Sequence, residues 1–558
     1  MGIALQPAVR APGAPRTSAS SAATSVDQGE IVRALADPAF YPHRPAQVEH
    51  VQTHISHVFL AGPYVYKLKK AVHFPFIDAS TIARRHAHCD DELRLNRRLA
   101  VPIYLGVLPI TREPDGRLAL AGEGPVLDHV VWMRRLPASR MLDRLVADGA
   151  ADAGMLGQLA RLLADFHASA AVGSTVAAHA SPEAILGDWR KVLAVAAPLV
   201  GGILPAATHT VLVSFARTFL AEHDALLRRR QTAGHRIREG HGDLRAEHVC
   251  ILDAPVPADP PHAPIAPGIY VVDCLEFSRA LRCIDVASEV AFLTMDLERL
   301  GRPDLAEAFV DAYVAASGDQ ELRTLLPFYC AYRACVRGAV EGLRAGEAEV
   351  DPADRVAAAE RARQYFALAQ RYAWKAHGPA VVVCCGLSGS GKTTLARALA
   401  EATGFVHLSS DVVRRQGPGL GRPAPYGTGL YAPGARAAVY ARLCDETDGA
   451  VAASRGVVAD ATFLRRADRD ALAAVATRRA RPLIFLECHA DPETIHRRLE
   501  APRPGLSDAR WETYLAQHAE REPFGADEPH RSVDTSGDLD DVVEEILPAL
   551  WRWRMTVT

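Results

Sequence analysis

The chain holds ten cysteines in 558 residues, yet no two of them stand in a C-x-x-C spacing. They are scattered, several inside apolar runs, which excludes a disulfide framework or a cysteine-based zinc site. They read as reduced, buried thiols of a cytoplasmic protein. No uninterrupted apolar run reaches the roughly 18 residues that a membrane span needs. The nearest stretch, Val192–Thr208, is broken by Pro198, Gly201, Gly202 and Pro205, so a loop between helices is expected there and no membrane partner. Charge of one sign is also lacking: 63 Lys and Arg stand against 66 Asp and Glu, a net −3 with no basic stripe, so nucleic acid is not an expected partner. No 20–50-residue internal repeat is present, which argues against a solenoid. The first acidic residue is Asp27, and the stretch before it has no continuous apolar segment of the kind a signal peptide carries. Residues 1–29 are expected to form a disordered tail, with a transit peptide left open.

What the chain does have is a 49% apolar composition, enough for large cores, and one strongly specified stretch. The β-branched run Val381-Val382-Val383-Cys384-Cys385 leads into Gly386-Leu387-Ser388-Gly389-Ser390-Gly391-Lys392-Thr393, followed by the helical run Thr394–Ala400. This fits G-x-x-x-x-G-K-[ST] between a strand and a helix. Three glycines let the backbone curl until its N–H groups, with those of Ser388, Ser390 and Thr394, face phosphate oxygens. The helix dipole adds to this, Lys392 reaches the β/γ-phosphates, and the Thr393 hydroxyl suits Mg²⁺. The stretch predicts a site for ATP.

Further strands end in acids. Gly404–Ser410 delivers Asp411, with Arg414 one turn later, at the mouth of the expected sheet, where ligands bind in open α/β folds. Gly456–Thr462 brings Asp460 to a second strand end, suited to a metal ion. Pro482–Cys488 is a third strand, Pro492–Leu499 a helix with Arg497 and Arg498, and Arg503-Pro504-Gly505 a basic turn suited to a lid.

In the amino-terminal half, alternation from Gln47 to Lys70 predicts three antiparallel strands, the third bearing Lys67 and Lys69. A helix around Ala79–Ala100 carries Glu92, and strands are expected at Val101–Pro109 and Val126–Leu136. Helices follow at Leu156–Ala168 and, after Ser181-Pro182-Glu183, at Ala184–Val195. His241-Gly242-Asp243-Leu244 precedes His248, and thirty residues after Asp243 a strand ends in Asp273. Between Gly346 and His377 a charged helical stretch places Val356, Ala359, Ala362 and Phe366 for a packed face, and His377-Gly378-Pro379 breaks it.

His241–Leu244, the polar residue at 248 and Asp273 resemble the aminoglycoside/choline-kinase branch of the protein-kinase-like fold over about residues 31–343. That resemblance implies Asp243 as catalytic base and Asp273 as metal ligand, with His248 in the place of the usual metal-binding Asn. It also implies Lys67, or else Lys69, as the phosphate-binding lysine paired with Glu92. No G-x-G-x-x-G is present; Thr53–Ser56 occupies that turn. Residues 380–558 resemble the small P-loop kinases (gluconate kinase, chloramphenicol phosphotransferase, zeta toxin). This implies Asp411 as the base, Arg414 as the residue steadying acceptor or phosphate, and one of Arg497, Arg498 or Arg503 over the γ-phosphate. The order of the halves resembles a bacterial family described as a bifunctional aminoglycoside phosphotransferase/ATP-binding protein, labelled an AAA ATPase.

The expectation is a two-domain protein: an α+β protein-kinase-like domain at 30–345, a helical linker at 346–378 and an α/β P-loop domain with a parallel sheet at 379–558. Its expected activity is transfer of the γ-phosphate of ATP, with Mg²⁺, to a hydroxyl of a small molecule. The alternative is an ATP-binding sensor whose amino-terminal domain only binds.

Overall fold

The computed structural model describes residues 28–53, 55–74, 77–257, 262–415, 433–500 and 510–557. The chain divides into two compact units: residues up to Arg97 with Val101–Arg135, and Arg98–Ala100 with Leu136 onward.

The first unit is built on one antiparallel sheet. Its strands lie in the order Val48–Gln52, Ser56–Ala61, Tyr64–Lys69, Val126–Arg134, Tyr104–Arg112, Leu118–Leu120. The hairpin at Ala61–Tyr64 closes in two residues because Gly62 takes φ +61°, a conformation that Cβ-bearing residues avoid. Strand alternation sends Tyr66 and Leu68 into a core with Phe59, Ile110 and Val130. Lys67 and Lys69 therefore share the other face. Helix Ile82–Asn96 begins where the Thr81 hydroxyl accepts the Arg84 N–H at 3.3 Å. The expected tail ends two residues early, because helix Gln28–Ala36 starts at Gln28 and buries Ile31 and Leu35; residues 1–27 lie outside the described residues.

The second unit joins a helical body to a five-stranded parallel sheet. The sheet order is Val406–Ser409, Val457–Asp460, Val381–Cys385, Leu483–His489, His530–Asp534, so the strand feeding the glycine loop is central and fully buried. A purely parallel sheet covered on both faces reads as continuous apolar runs, which is why Val381–Cys385 and Val457–Val458 carry no alternation. Between helices Pro182–Ala196 and Ala206–Glu222 the chain turns through a short 3₁₀ segment and Gly201-Gly202, as the interrupting residues predict. Among the described residues no helix is long and apolar enough to cross a membrane. Nine cysteines are buried, Cys444 is half-buried, and none forms a disulfide.

The stretch expected as a linker belongs to this unit. Helix Leu322–Gly346 runs through residue 346, and helix Pro352–Ala376 packs along it, burying Ala358, Ala362, Tyr365, Phe366 and Ala369. Val356, expected on the packed face, is 72% exposed. The aromatic residues at 365 and 366 pull the buried stripe round the helix from where Val356 and Ala359 would put it. The compact division thus falls near residue 136, well before the break at His377-Gly378-Pro379.

The last helix, Leu539–Thr556, ties the sheet to the helical body. Its Trp551 ring meets Trp374, Phe215 and His377 edge-on at centroid distances of 5.1, 6.1 and 4.9 Å. Its Glu544 accepts the Ala207 N–H at 2.6 Å, capping helix Ala206–Glu222.

Candidate active site

The glycine loop leaves the central strand at Gly386, whose φ is +132° and whose Cβ, if present, would lie 2.3 Å from the Cys488 carbonyl oxygen. Only glycine fits there. Gly389 and Gly391 also take positive φ, and Gly391 caps helix Lys392–Thr403. The crown of the loop is pinned from outside: the Ser388 N–H donates to Gln517 Oε1 at 2.8 Å, and the Thr535 hydroxyl donates to the Ser390 carbonyl at 2.6 Å. Neither Gln517 nor Thr535 carried a sequence signal, because each holds the loop through its backbone.

The helix N-terminus opens on a cavity of about 540 Å³. Gly389, Gly391, Lys392, Thr393, Thr394 and Arg498 line it, with Asp411 facing in from helix Ser410–Arg415. The first N–H groups of the Lys392 helix have no intrahelical partner, so this end carries donors and positive potential. The far wall is Thr535, Gly537, Asp538, Leu539 and Val542, the turn and first residues of the last helix, which no motif had marked. Asp411 is ion-paired to Arg414, as the Asp-x-x-Arg spacing predicts.

Of the three candidate lid arginines, Arg498 reaches this cavity. Its Nη2 donates to the Thr535 carbonyl at 2.6 Å, and its Nη1 lies 3.5 Å from the Gly389 carbonyl. Arg497 is exposed and donates to Thr494 Oγ1 at 3.1 Å, and Arg503 lies outside the described residues.

Asp460 ends the strand beside the glycine loop and is 2% exposed. Its Oδ2 accepts from Ser409 Oγ at 3.1 Å and stands 3.7 Å from His407 Nε2, while Oδ1 has no hydrogen-bond partner among the described residues. Burial works to raise the Asp460 carboxyl, but His407 and the Lys392 charge outweigh it and hold it below its ordinary value. The fully buried Ser390 hydroxyl likewise has no partner among the described residues. A hydroxyl at 393 and an ionised carboxylate with an unmet oxygen are the all-oxygen donors that Mg²⁺ takes, so these residues fit that ion.

A second constellation lies in the helical body. Glu289, fully buried, accepts the N–H of His241 at 2.8 Å and of Gly242 at 2.6 Å, and is bonded to His167 Nε2 at 2.9 Å. Burial alone would raise its pKa, but the His167 hydrogen bond and the neighbouring imidazoles bring it to about 2. Burial first, against that carboxylate, lowers His241 to about 4. Glu289 thus fixes the turn that presents Asp243. Asp243 itself is held by Arg245 through Nε at 3.2 Å and Nη2 at 3.0 Å. Its burial is outweighed by Arg245, His248 and Arg337, which hold the carboxyl well below the usual range. Asp273 adopts φ +62° and stands 3.5 Å from His248 Nε2. The structure therefore brings Asp243, His248 and Asp273 together.

In the first unit, Lys67 Nζ meets Glu92 Oε1 at 2.9 Å and Lys69 Nζ meets Glu92 Oε2 at 2.5 Å, all three side chains buried. Both lysines pair with Glu92, because residues two apart on one strand reach the two oxygens of one carboxylate. Among the described residues no group of three His, Cys, Asp or Glu side chains is set to hold a metal ion by itself.

A family model described as an AAA domain matches residues 381–523. Over most of its length the chain is similar to mycobacterial proteins. It is 30% identical over 505 residues, 90% of this chain and 95% of the relative, to "Uncharacterized protein Rv2004c" of Mycobacterium tuberculosis H37Rv. The same figures hold for "Uncharacterized protein Mb2027c" of Mycobacterium bovis. Solved structures similar to parts of the chain include a choline/ethanolamine kinase family protein from Mesorhizobium loti, 16% identical over 62% of this chain and 98% of that one, TM-score 0.35. A gluconokinase from Sinorhizobium meliloti is 22% identical over 32% of this chain and 94% of that one, TM-score 0.25.

Proposed function

The chain belongs to the family of the mycobacterial protein Rv2004c, and we propose that it is an ATP-dependent phosphotransferase whose carboxy-terminal half moves the γ-phosphate to a hydroxyl of a small molecule. The observation that carries this reading is Asp411. A site that only bound nucleotide would need the glycine loop, Lys392 and Thr393, but no Asp side chain lining the same cavity. In this reading the loop amides and Lys392 hold the phosphates, and Arg498 lies against them from the far side. Asp411 takes the proton of the acceptor hydroxyl as its oxygen bonds to phosphorus and ADP departs; Arg414 fixes the carboxylate's position. Thr393 and Asp460 would hold Mg²⁺, which when bound neutralises phosphate charge.

The test is ATP consumption by the full chain against a library of hydroxyl compounds, repeated with Asp411→Asn. That substitution keeps shape but takes no proton. Transfer is expected to fall about 10²–10⁴-fold while ATP affinity is kept. Near-normal transfer would make Asp411 structural; loss of ATP binding would move the base role to Asp460.

A second reading for the amino-terminal half, as a protein-kinase-like module that binds without transferring, is favoured by Arg245. Its guanidinium is bonded to both oxygens of Asp243, so that carboxylate is already engaged where a free base is required.

A further inference from the structure

Helix Leu322–Gly346 carries a buried cation that, among the described residues, pairs with no carboxylate. Arg333 is 6% exposed; its Nε donates to the Ser288 carbonyl at 3.3 Å and its Nη1 to the Gly242 carbonyl at 3.3 Å. The guanidinium also stands over the Phe292 ring, 4.7 Å from its centroid. Carbonyls and a ring face supply only partial negative charge, whereas a buried ion is ordinarily matched by a full one. Among the described residues Nη2 has no hydrogen-bond partner.

Tyr329 lies one turn earlier on the same face of that helix. It is 4% exposed, and its hydroxyl likewise has no partner among the described residues. Burial, then Asp285, push the phenol well above its ordinary value, so it keeps the proton it would donate. Both side chains line a cavity of about 40 Å³ in the helical body. That is room for about three water-sized groups. The apolar part of the lining is Ala180, Ile185, Leu281 and Ile284, and the exposed His179 places one side of it at the surface. Two carboxylates share the lining, each with a cation of its own. Asp285 is paired with Arg230 at 2.8 Å and Asp188 with Lys191 at 2.8 Å. They leave Arg333 unneutralised and disfavour a doubly charged guest.

We propose that this cavity binds a small monocarboxylate with a short apolar tail, one oxygen accepting from Arg333 Nη2 and the other from the Tyr329 hydroxyl. The carboxylate has the three heavy atoms that the volume admits, and the tail lies toward Ile185, Leu281 and Ile284. The site shares no residue with the P-loop cavity or with Asp243, His248 and Asp273, so it stands or falls apart from both.

The test is calorimetric titration of the full chain, free of nucleotide, with isobutyrate. A saturable one-to-one heat is expected, with none from isobutyramide, which has the same shape and no charge, and none from inorganic phosphate. Arg333→Met should abolish the heat, and Lys392→Ala should leave it. Tyr329→Phe guards against misfolding. Its hydroxyl bonds nothing in the empty chain, so the melting temperature without ligand should stay, while the affinity for isobutyrate should fall about tenfold or more. A heat that does not saturate would mean that the cavity holds only water. That result, equal binding of isobutyramide or phosphate, undiminished affinity in Tyr329→Phe, or a lower ligand-free melting temperature in that variant would each overturn the proposal.

Discussion

Lys392 stands at the first turn of a helix whose N-terminus already gathers positive potential, and it opens on the same cavity as Asp411. Removing its charge takes away what meets the developing charge on the transferred phosphate, so Lys392→Ala should lower turnover on the order of 10²-fold or more. Single-turnover ATP consumption beside a melting curve separates this from unfolding: the rate should collapse and the melting temperature should stay. This residue was legible in the sequence because a glycine loop, a lysine and a hydroxyl act at fixed spacings along the chain. Asp411, Asp460 and the Lys67–Glu92 pair were legible for related reasons, each being a polar side chain at the end or on one face of an apolar element. Glu289 was given no role from the sequence. Its work, accepting the His241 and Gly242 N–H groups, depends on a chain reversal that no local pattern encodes. Thr535 and Gln517 left no trace, since bonds to backbone atoms ask for no particular neighbours in sequence.

Among the elements, helix Pro352–Ala376 is the one whose existence the periodicity gave away and whose placement it did not. Small and apolar residues occupy more than one stripe, and which stripe is buried was decided by Phe366, whose ring lies against Gly338 of the partner helix. The helix ends at His377, a buried ring 3% exposed at its side chain, edge-on to Trp551. Burial, then Arg554, lower its pKa to about 4 from an ordinary 6.5. Above pH 6.5 the ring is neutral folded or unfolded and contributes no pH dependence. Between 6.5 and 4 the unfolded chain takes up a proton that the folded chain refuses, so stability falls as the pH falls through that window. The loss from this one group is at most about 3 kcal/mol. His377→Phe keeps a ring in the packing and removes the titration. Denaturant unfolding at pH 7 and pH 5 should show a smaller drop for the variant than for the wild type. Some drop should persist, because His241, lowered to about 4, acts with the same sign.

At the scale of the molecule, the parallel sheet shares one unit with the helical body, and the compact division does not fall at Gly378. A fragment of residues 379–558 would expose Ile546, Leu547, Leu550 and Trp551, which are 3% exposed or less in the full chain. Uncovering several such side chains costs about 1.5–3 kcal/mol each. The fragment is therefore expected to aggregate or to unfold non-cooperatively, by light scattering and by near-ultraviolet circular dichroism. A fragment with a sharp native transition would show that the last helix needs no partner.

The last helix begins as a wall of the nucleotide cavity and ends against Phe215 and Trp374. Ligand held at its first turn is therefore linked by mass action to the folded state of everything from residue 136 onward. At a ligand concentration of 100 times the dissociation constant, that linkage amounts to about 2.7 kcal/mol. For a chain near the usual margin of stability, this is a hundredfold change in the fraction open to proteases. The steady-state amount of the protein would then rise and fall with the nucleotide pool, so supply of its own ligand would set its lifetime.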